Sequence, residues 1–221
     1  MYAIVIHKHD HQLKRIMNPI LFNLPMPIQT ERLLIRPPEL GDGSIINRAI
    51  VESYDVLKLM MPWAQTIPSV DESEEFVRQA AANWILKKNE EPYLNLWIFR
   101  RDTMQFIGGT GLHHINWDIP AFESGYWLHA KHHNQGFATE AINALTQYVF
   151  QELQAKRLEI RCDINNIRSK KIPERLGFEL EATLKNNRQN PQTKKPSDTL
   201  VYARFNADNL PNLSVTWGAI T

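Results

Sequence analysis

Apolar residues recur along this chain at two spacings, and stretches with neither spacing separate them. Alternation of apolar and polar positions predicts strands over Thr30–Arg36, Tyr93–Arg100, Gln105–Leu112, Phe122–His129 and Arg157–Asp163, with Phe178–Leu184 and Thr199–Phe205 as a closing antiparallel pair. Helical spacing runs through Leu40–Leu59, broken at Met60-Met-Pro-Trp63, and resumes after a capping box read at Asp71–Glu74. It is strongest over Gly136–Leu153, where Ala138, Ala141, Ile142, Leu145, Val149, Phe150 and Leu153 share one side. Asn166 caps a last helix that runs to Leu176 and stops at Gly177. Residues 1–28, with Pro19, Pro25 and Pro27, show no period and read as an extended arm. Lys185–Asp198 is polar, basic and turn-rich, which predicts a mobile loop. The last fifteen residues carry Leu210, Leu213, Val215, Trp217 and Ile220, too apolar for a free tail, and are expected to dock on the domain or on a second subunit as a homodimer contact.

This order predicts an α/β (α+β) fold: a mixed, mostly antiparallel sheet of about seven strands flanked by helices. A domain over 29–206 would lie between an N-terminal extension, 1–28, and a C-terminal extension, 207–221. A doubly wound dinucleotide fold is disfavoured, since neither G-x-G-x-x-G nor the P-loop pattern occurs. With 25 basic against 24 acidic side chains, no overall field favours nucleic acid, and the Lys185–Lys195 cluster alone is a weak reason to expect it. Cys162 is the single cysteine, which rules out an internal disulfide framework and fits a reducing compartment. No apolar run approaches the ~18 residues of a membrane span, and Met1–Ile6 is too short for a signal core. A cytoplasmic protein is expected. His7, His9 and His11 would share one face of a strand, but without a supporting Cys or carboxylate cluster they read as a solvated tail, and no metal is predicted.

The candidate chemistry gathers around Tyr126–Glu140. A strand there ends in a polar loop, and Gly136 opens the strongest helix, an arrangement that presents unpartnered N–H groups and the positive end of a helix dipole to an anion. Gly136 lets the N–H groups of roughly Gln135, Phe137, Ala138 and Thr139 come close to an oxygen, although a plain strand-to-helix turn would use the same glycine. Gly125 bares the strand face shared by Glu123 and Trp127, leaving room for a flat ligand. Asn166 and Ser169 are either a helix cap with its N3 residue or a polar pair facing that cleft. Trp63 is a candidate pocket wall or a buried structural residue. Gly108-Gly109 predicts a bulge or a close backbone approach, and His113-His114 reads as the polar end of its strand rather than as catalytic.

Three blocks carry a resemblance: Glu123-x-Gly-Tyr-Trp-Leu; Gly136-x-Ala138-Thr-Glu-Ala141; and Asn166-x-x-Ser169 followed by Leu176-Gly177-Phe178. In this order they resemble the GNAT-superfamily N-acetyltransferases, most closely the RimJ/RimL-like ribosomal-protein N-terminal acetyltransferases. The Thr30-Glu-Arg-Leu opening and the Leu200-x-Tyr-Ala-Arg204 ending are similar too, so the resemblance runs from about Ile28 to Phe205.

The resemblance implies acetyl-CoA as cofactor and a sheet splayed between its fourth and fifth predicted strands, Phe122–His129 and Arg157–Asp163. The loop from His133 to Ala138 would take the pyrophosphate, His133 standing where the family has Gln or Arg. The pantetheine would pair with backbone at Trp127 and Leu128 and bond to Asn166. The family's usual acid, a Tyr, is replaced by Pro173, and Ser169 matches the serine proposed as acid in the RimL-like branch. That branch's glutamate base aligns near Arg188, which leaves Glu123, acting through a water, as the substitute base with Glu181 behind it; either is otherwise an ordinary strand carboxylate, the favoured reading for Glu181. A site with no strong base suits an α-amine: near pKa ~7.8 about one-tenth is neutral at pH 7, against about one in a few thousand for a lysine near ~10.4. The implied acceptor is a protein N-terminus. A small amine as acceptor, and an acyl-CoA-binding module without catalysis, are the competing readings.

Overall fold

The computed structural model describes residues 18–87 and 93–218, so the His7–His11 stretch and Ile220 lie outside the described residues. Nine strands form one sheet: β1 (Ile28–Gln29), β2 (Leu33–Arg36), β3 (Leu94–Arg100), β4 (Phe106–Asn116), β5 (Ala121–Leu128), β6 (Arg157–Asp163), β7 (Glu179–Gln189), β8 (Pro196–Arg204) and β9 (Thr216–Trp217). Their spatial order is β7-β8-β6-β5-β4-β3-β2-β1-β9. Every pairing is antiparallel except that of β5 with β6. The expected mixed, mostly antiparallel architecture is present, with nine strands in place of about seven. The additional pair, β1 and β9, is two residues long on each side, below what alternation can register.

Four helices cover the sheet: α1 (Gly43–Met60), α2 (Val70–Leu86), α3 (Phe137–Gln151) and α4 (Ile167–Arg175). The apolar stripe read on α3 is its buried side, with Ala141, Ile142, Leu145, Tyr148 and Val149 fully enclosed against the sheet core. α1 and α2 pack on the opposite face, where Ile46, Ala49, Ile50, Leu57 and Val77 meet Trp97, Phe99 and Phe106.

α1 and α2 are locked at one end. Glu74 of α2 accepts hydrogen bonds from the Gly41 and Gly43 N–H groups (3.1 Å), placing a carboxylate at the positive end of α1. A Cβ at Gly43 would come within 2.5 Å of Glu74 Cα, so the helices cross this closely only because residue 43 has no side chain. The expected capping box at Asp71–Glu74 is corrected to Ser69 and Glu72, whose hydroxyl and carboxylate bond each other's backbone N–H (3.1 and 2.7 Å). Both windows satisfy the spacing. Ser69 has the extended backbone a cap requires, whereas Asp71 is already inside the helix.

The expected mobile loop over Lys185–Asp198 is also corrected. Strands β7 and β8 run through it as one long hairpin, leaving Asn190–Lys195 as the turn, and the Lys194 ammonium reaches the Gln65 side chain between α1 and α2 (3.3 Å). Polar composition misleads there because both strands extend beyond the core and have no apolar face to show. The C-terminal segment docks on its own domain. Leu210, Leu213, Val215 and Trp217 pack on the core, Asn143 and Gln147 of α3 donate to the Pro211 and Leu213 carbonyls (2.8 and 3.2 Å), and β9 pairs with β1.

Candidate active site

Strands β5 and β6 pair only over Ala121–Ser124 and Arg157–Ile160. Beyond Ser124, β5 turns from β6, and the backbone of Tyr126–Leu128 has a strand neighbour on one side only. A cleft of about 660 Å³ fills the opening, lined by Trp127, Leu128, the His132–Thr139 loop, the start of α4 from Asn166, and the C-terminal turns of α1.

At one end lies the start of α3. Asn134 and Gly136 both take left-handed backbone (φ 61° and 82°), which turns successive N–H groups inward as an anion-binding concavity. The first helical hydrogen bond runs from Glu140 N–H to the Gly136 carbonyl (3.0 Å), so the N–H groups of Phe137, Ala138 and Thr139 precede the ladder and have no partner within it. Arg32 braces this loop from behind, donating to Gln135 O (3.2 Å), pairing with Glu140 and lying over the Phe137 ring (4.6 Å). Opposite, Arg168, Lys171 and Arg175 of α4 line the cleft, and none of them takes part in an ion pair among the described residues. Unpartnered N–H groups facing unpaired cations fit a phosphorylated ligand.

The side chains expected around the cofactor are partly used within the protein. His133 Nε2 lies 3.2 Å from the Leu128 carbonyl and its Nδ1 3.5 Å from Arg168, so the ring bridges β5 and α4 at the cleft wall. Asn166 Oδ1 accepts the Ser169 N–H (3.1 Å) as a helix cap, which leaves its amide NH2 available. Trp63 is half exposed and stacks edge-on against Trp127 (5.8 Å between centroids), so it is not a core residue, and it stands behind the cleft lining rather than in it.

Ser169 meets a residue that sequence reasoning passed over. Tyr126 Oη donates to the Ser169 carbonyl (2.9 Å) and lies 3.1 Å from Ser169 Oγ. Its single proton is committed to the carbonyl, so the second contact has the serine hydroxyl donating to Tyr126. Burial pushes the Tyr126 phenol up, the Ser169 hydrogen bond opposing it, and Tyr126 keeps its proton. Burial also pushes the neighbouring Cys162 thiol to about 11, which removes it as a nucleophile at neutral pH.

The other face of β5 carries Glu123. Gly125 stands opposite Gly111, which the Tyr93 ring covers (Cε2 2.8 Å from the place of a Cβ), and Trp127 opposite Gly109, which the Trp127 and Trp97 indoles cover (2.8 and 3.1 Å). Above Gly125, His113 Cε1 is the only heavy atom of the described residues near the place of a Cβ, at 3.5 Å. The nearby Gly108 matches the close approach read from the sequence: its Cβ would fall 2.2 Å from the Trp127 carbonyl. The register with β3 shifts beside it: Ile98 pairs with Gly108 and Phe99 with Phe106, which leaves Ile107 of β4 as the extra residue.

His113 and His114 are not the polar end of a strand, as expected, but lie within β4 and converge on Glu123. His113 Nε2 is 3.1 Å from Oε1 and His114 Nδ1 is 2.9 Å from Oε2. Neighbouring strand residues normally point to opposite faces. Here His114 takes left-handed backbone (φ 47°) at the irregularity between His113 and Asn116, and both rings reach one carboxylate. Such a conformation costs a non-glycine residue about 1–2 kcal/mol.

Arg161 Nε lies 3.3 Å from Glu123 Oε2 and is itself held by Glu159 (2.8 Å). Burial raises the Glu123 pKa, but the His113 hydrogen bond and the charges of His113, Arg161 and His114 outweigh it and hold the carboxyl below its ordinary range. His113 Nδ1 is buried without a partner among the described residues, a vacancy worth about 1–3 kcal/mol if nothing fills it. Ligating atoms of His113, His114 and Glu123 lie within 4.8 Å of one another, the one such grouping among the described residues. Glu181 pairs with Arg157 at the surface and reaches Glu123 only through the ion-pair chain of Arg157, Glu159 and Arg161. At the position aligned with the branch's base, Arg188 stands 3.7 Å from Asp163.

Comparison with known proteins places this geometry. Residues 32–179 match the family described as acetyltransferase (GNAT) domain. The ribosomal-protein-serine acetyltransferase of Escherichia coli K12 is 29% identical over 141 residues, covering 63% of this chain and 75% of that protein. An uncharacterised N-acetyltransferase of Bacillus subtilis 168, YoaA, is 25% identical over 181 residues, 80% of this chain and 94% of its own. Among solved structures, RimL, a ribosomal L7/L12 alpha-N-protein acetyltransferase in complex with coenzyme A, superposes with a TM-score of 0.72 at 20% identity over 84% of this chain and 99% of RimL. The microcin C7 self-immunity acetyltransferase MccE, in complex with acetyl-CoA and AMP, gives 0.72 at 23% identity over 79% of this chain and 93% of MccE. At these identities the structural likeness speaks for the fold.

Proposed function

Since the chain belongs to the acetyltransferase (GNAT) family, we propose that it transfers the acetyl group of acetyl-CoA to the N-terminal amine of a protein, a ribosomal protein among the candidates. The observation that carries this is the cleft itself: a phosphate-binding end at the start of α3 leads along the open edge of β5 to Tyr126 and Ser169.

The Gln135–Thr139 backbone would hold the pyrophosphate, with Arg168, Lys171 and Arg175 near the remaining phosphate charge. Asn166 and the backbone at Trp127 and Leu128 would hold the pantetheine. When bound, acetyl-CoA supplies an activated acyl carbon on a thiol leaving group. Ser169 is the proton donor for the departing sulfur, its hydroxyl turning toward the sulfur from Tyr126, to which it otherwise donates. Glu123 stands on the acceptor side of β5, where an incoming ammonium must lose a proton before it can attack. With Glu123 held below the ordinary carboxylate range, the site favours an amine that is already partly neutral, which at pH 7 means an α-amine rather than a lysine. The names of the E. coli relative and of RimL support the same acceptor class.

Thiol release from acetyl-CoA tests this against a panel of serine-, alanine- and methionine-leading peptides beside polyamines, amino acids and aminoglycosides. Turnover with the peptides is expected. Turnover confined to the small amines would reject the protein acceptor, and acetyl-CoA binding with no turnover on any amine would reject catalysis.

A further inference from the structure

We propose that His113 Nε2, His114 Nδ1 and a Glu123 carboxylate oxygen bind a divalent transition-metal ion of the zinc type, at a site apart from the acetyl-CoA cleft and independent of the acetyl-transfer reading.

The distances have the right scale. Zinc takes imidazole nitrogen and carboxylate oxygen at about 2.0–2.2 Å in tetrahedral geometry, which sets neighbouring ligand atoms about 3.3 Å apart. His113 Nε2 is 3.1 Å from Glu123 Oε1, His114 Nδ1 is 2.9 Å from Oε2, and the ligating atoms lie within 4.8 Å of one another. Two imidazoles with one carboxylate suit zinc, copper or nickel, whereas magnesium and calcium take oxygen. Three protein ligands leave a position for water, as in open zinc sites.

The backbone at His114 points the same way. Adjacent strand residues face opposite sides, and left-handed backbone at His114 (φ 47°) turns its ring to the carboxylate that His113 already meets. The His114 side chain is 69% exposed, and a histidine–carboxylate contact in water returns less than that backbone costs. An ion gripped by both rings would offset the difference. The same exposure supplies the route: the ion enters from solvent past His114 and has no need of the cleft, whose lining includes none of the three ligands.

The surroundings accommodate a dication. Arg161 Nε stands 3.3 Å from Glu123 Oε2, but Glu159 holds the same guanidinium (2.9 and 2.8 Å). Glu159 pairs in turn with Arg157, and Arg157 with Glu181, so three carboxylates stand against two guanidiniums and the chain of charges is net negative. Arg161 then acts as the hydrogen-bond donor that a ligating carboxylate needs, holding Oε2 while Oε1 meets the ion. His113 Nδ1 is buried without a partner among the described residues whichever ring nitrogen carries the proton, so freeing Nε2 adds no unmet group. The exposed His114 ring swings its Nδ1 from Oε2 to the ion and donates its outer N–H to water.

The test titrates the full-length chain with Zn2+ against a chromophoric chelator. His7, His9 and His11 are a second set of imidazoles, so the titration is repeated with those three changed to Gln. One equivalent with a Kd of ~10 µM or tighter is expected to remain. His114→Asn in that background should weaken it by ~10-fold or more. Asn tolerates left-handed backbone, so this variant removes the ligand and keeps the local fold. X-ray absorption at the zinc edge leaves the cluster unaltered and should show two imidazoles beside oxygen at about 2.0–2.2 Å. Binding weaker than ~10 µM, a loss smaller than ~10-fold in His114→Asn, or a shell without two imidazoles would each overturn the proposal. Thiol release is not read in any of these measurements, so their failure is distinct from failure of the acetyl-transfer reading.

Discussion

The two ends of the cleft are made of different material. At the start of α3 the ligand would meet backbone: N–H groups released by a helix start and turned inward by two left-handed residues. Beyond the other end, around Gly125, side chains from β4, β5 and β6 are brought together instead. A backbone site needs only a glycine, a small residue and a helix, all contiguous in sequence. A side-chain site depends on which residues share a face, and that depends on register. The first end tolerates His133 in place of Gln or Arg because its ring supplies none of those N–H groups. The second tolerates less, because moving any one of His113, His114 or Glu123 leaves the others without a partner.

The strongest way to separate the two ends is to change the chemistry without touching the phosphate loop. Ser169→Ala should lower kcat by ~100-fold or more, the scale of a general acid, with acetyl-CoA affinity within about twofold of wild type by calorimetry. Tyr126→Phe keeps the ring and removes the contact to Ser169, so a smaller fall in kcat is expected. If Ser169→Ala weakened acetyl-CoA binding as much as it slowed turnover, Ser169 would belong to the binding end and the division would fail.

A second separation uses pH. Glu123 is held below its ordinary pKa, so the unfolded chain binds that proton more readily than the folded one. The stability this contributes is present above the unfolded value near ~4.5 and is lost as the pH falls through the lower folded value. Glu123→Gln should therefore destabilise the protein by about 1–3 kcal/mol at pH 7, the scale of lost hydrogen bonds to a charged group. The two denaturation curves should draw together as the pH falls below ~4.5 and meet only below the lowered folded value. A gap that stayed constant with pH would mean that Glu123 contributes by packing and not by charge.

How much of this was legible follows the same division. The strands themselves, the α3 stripe, the cap at Asn166 and the glycine that opens α3 could be read because each is stated within about fifteen consecutive residues. Trp63 was read as either wall or core; half exposed and beside Trp127, it is not core. His113 and His114 were misplaced because alternation assigns neighbours to opposite faces, and only the left-handed backbone at His114 cancels that rule. Nothing in the local sequence announces such a residue; the partial signal was the pair of adjacent histidines nine residues before an inward glutamate. Tyr126 was read as a face-alternating strand residue, since its partner Ser169 lies 43 residues away.

A smaller effect probes the backbone end itself. Gly136 has φ 82°, and a Cβ there would stand 3.4 Å from Arg32 Nη2, an ordinary contact. Space is therefore not the obstacle in Gly136→Ala; the left-handed conformation is, at about 1–2 kcal/mol. Acetyl-CoA affinity should fall by ~5–30-fold if the loop relaxes in the free protein, with the rate of the bound complex nearly unchanged. A loss in turnover without a loss in affinity would contradict the assignment of this end.

The smallest expected effect separates charge from backbone within the phosphate end. Arg168, Lys171 and Arg175 are exposed and outside any ion pair among the described residues, so each acts on a phosphate across water. Exposed charges of this kind are worth little singly, and Arg168→Ala should weaken acetyl-CoA binding by only about two- to fivefold at low ionic strength. Salt then distinguishes the contributions. Near 1 M the screening length drops to about 3 Å, so the difference between Arg168→Ala and wild type should vanish. The Gly136→Ala defect should persist there, because it lies in the conformation that aims the N–H groups and not in a long-range field. If both defects faded together, the loop would be acting through its surrounding charge, and the helix start would be only the turn that its glycine alone would also allow.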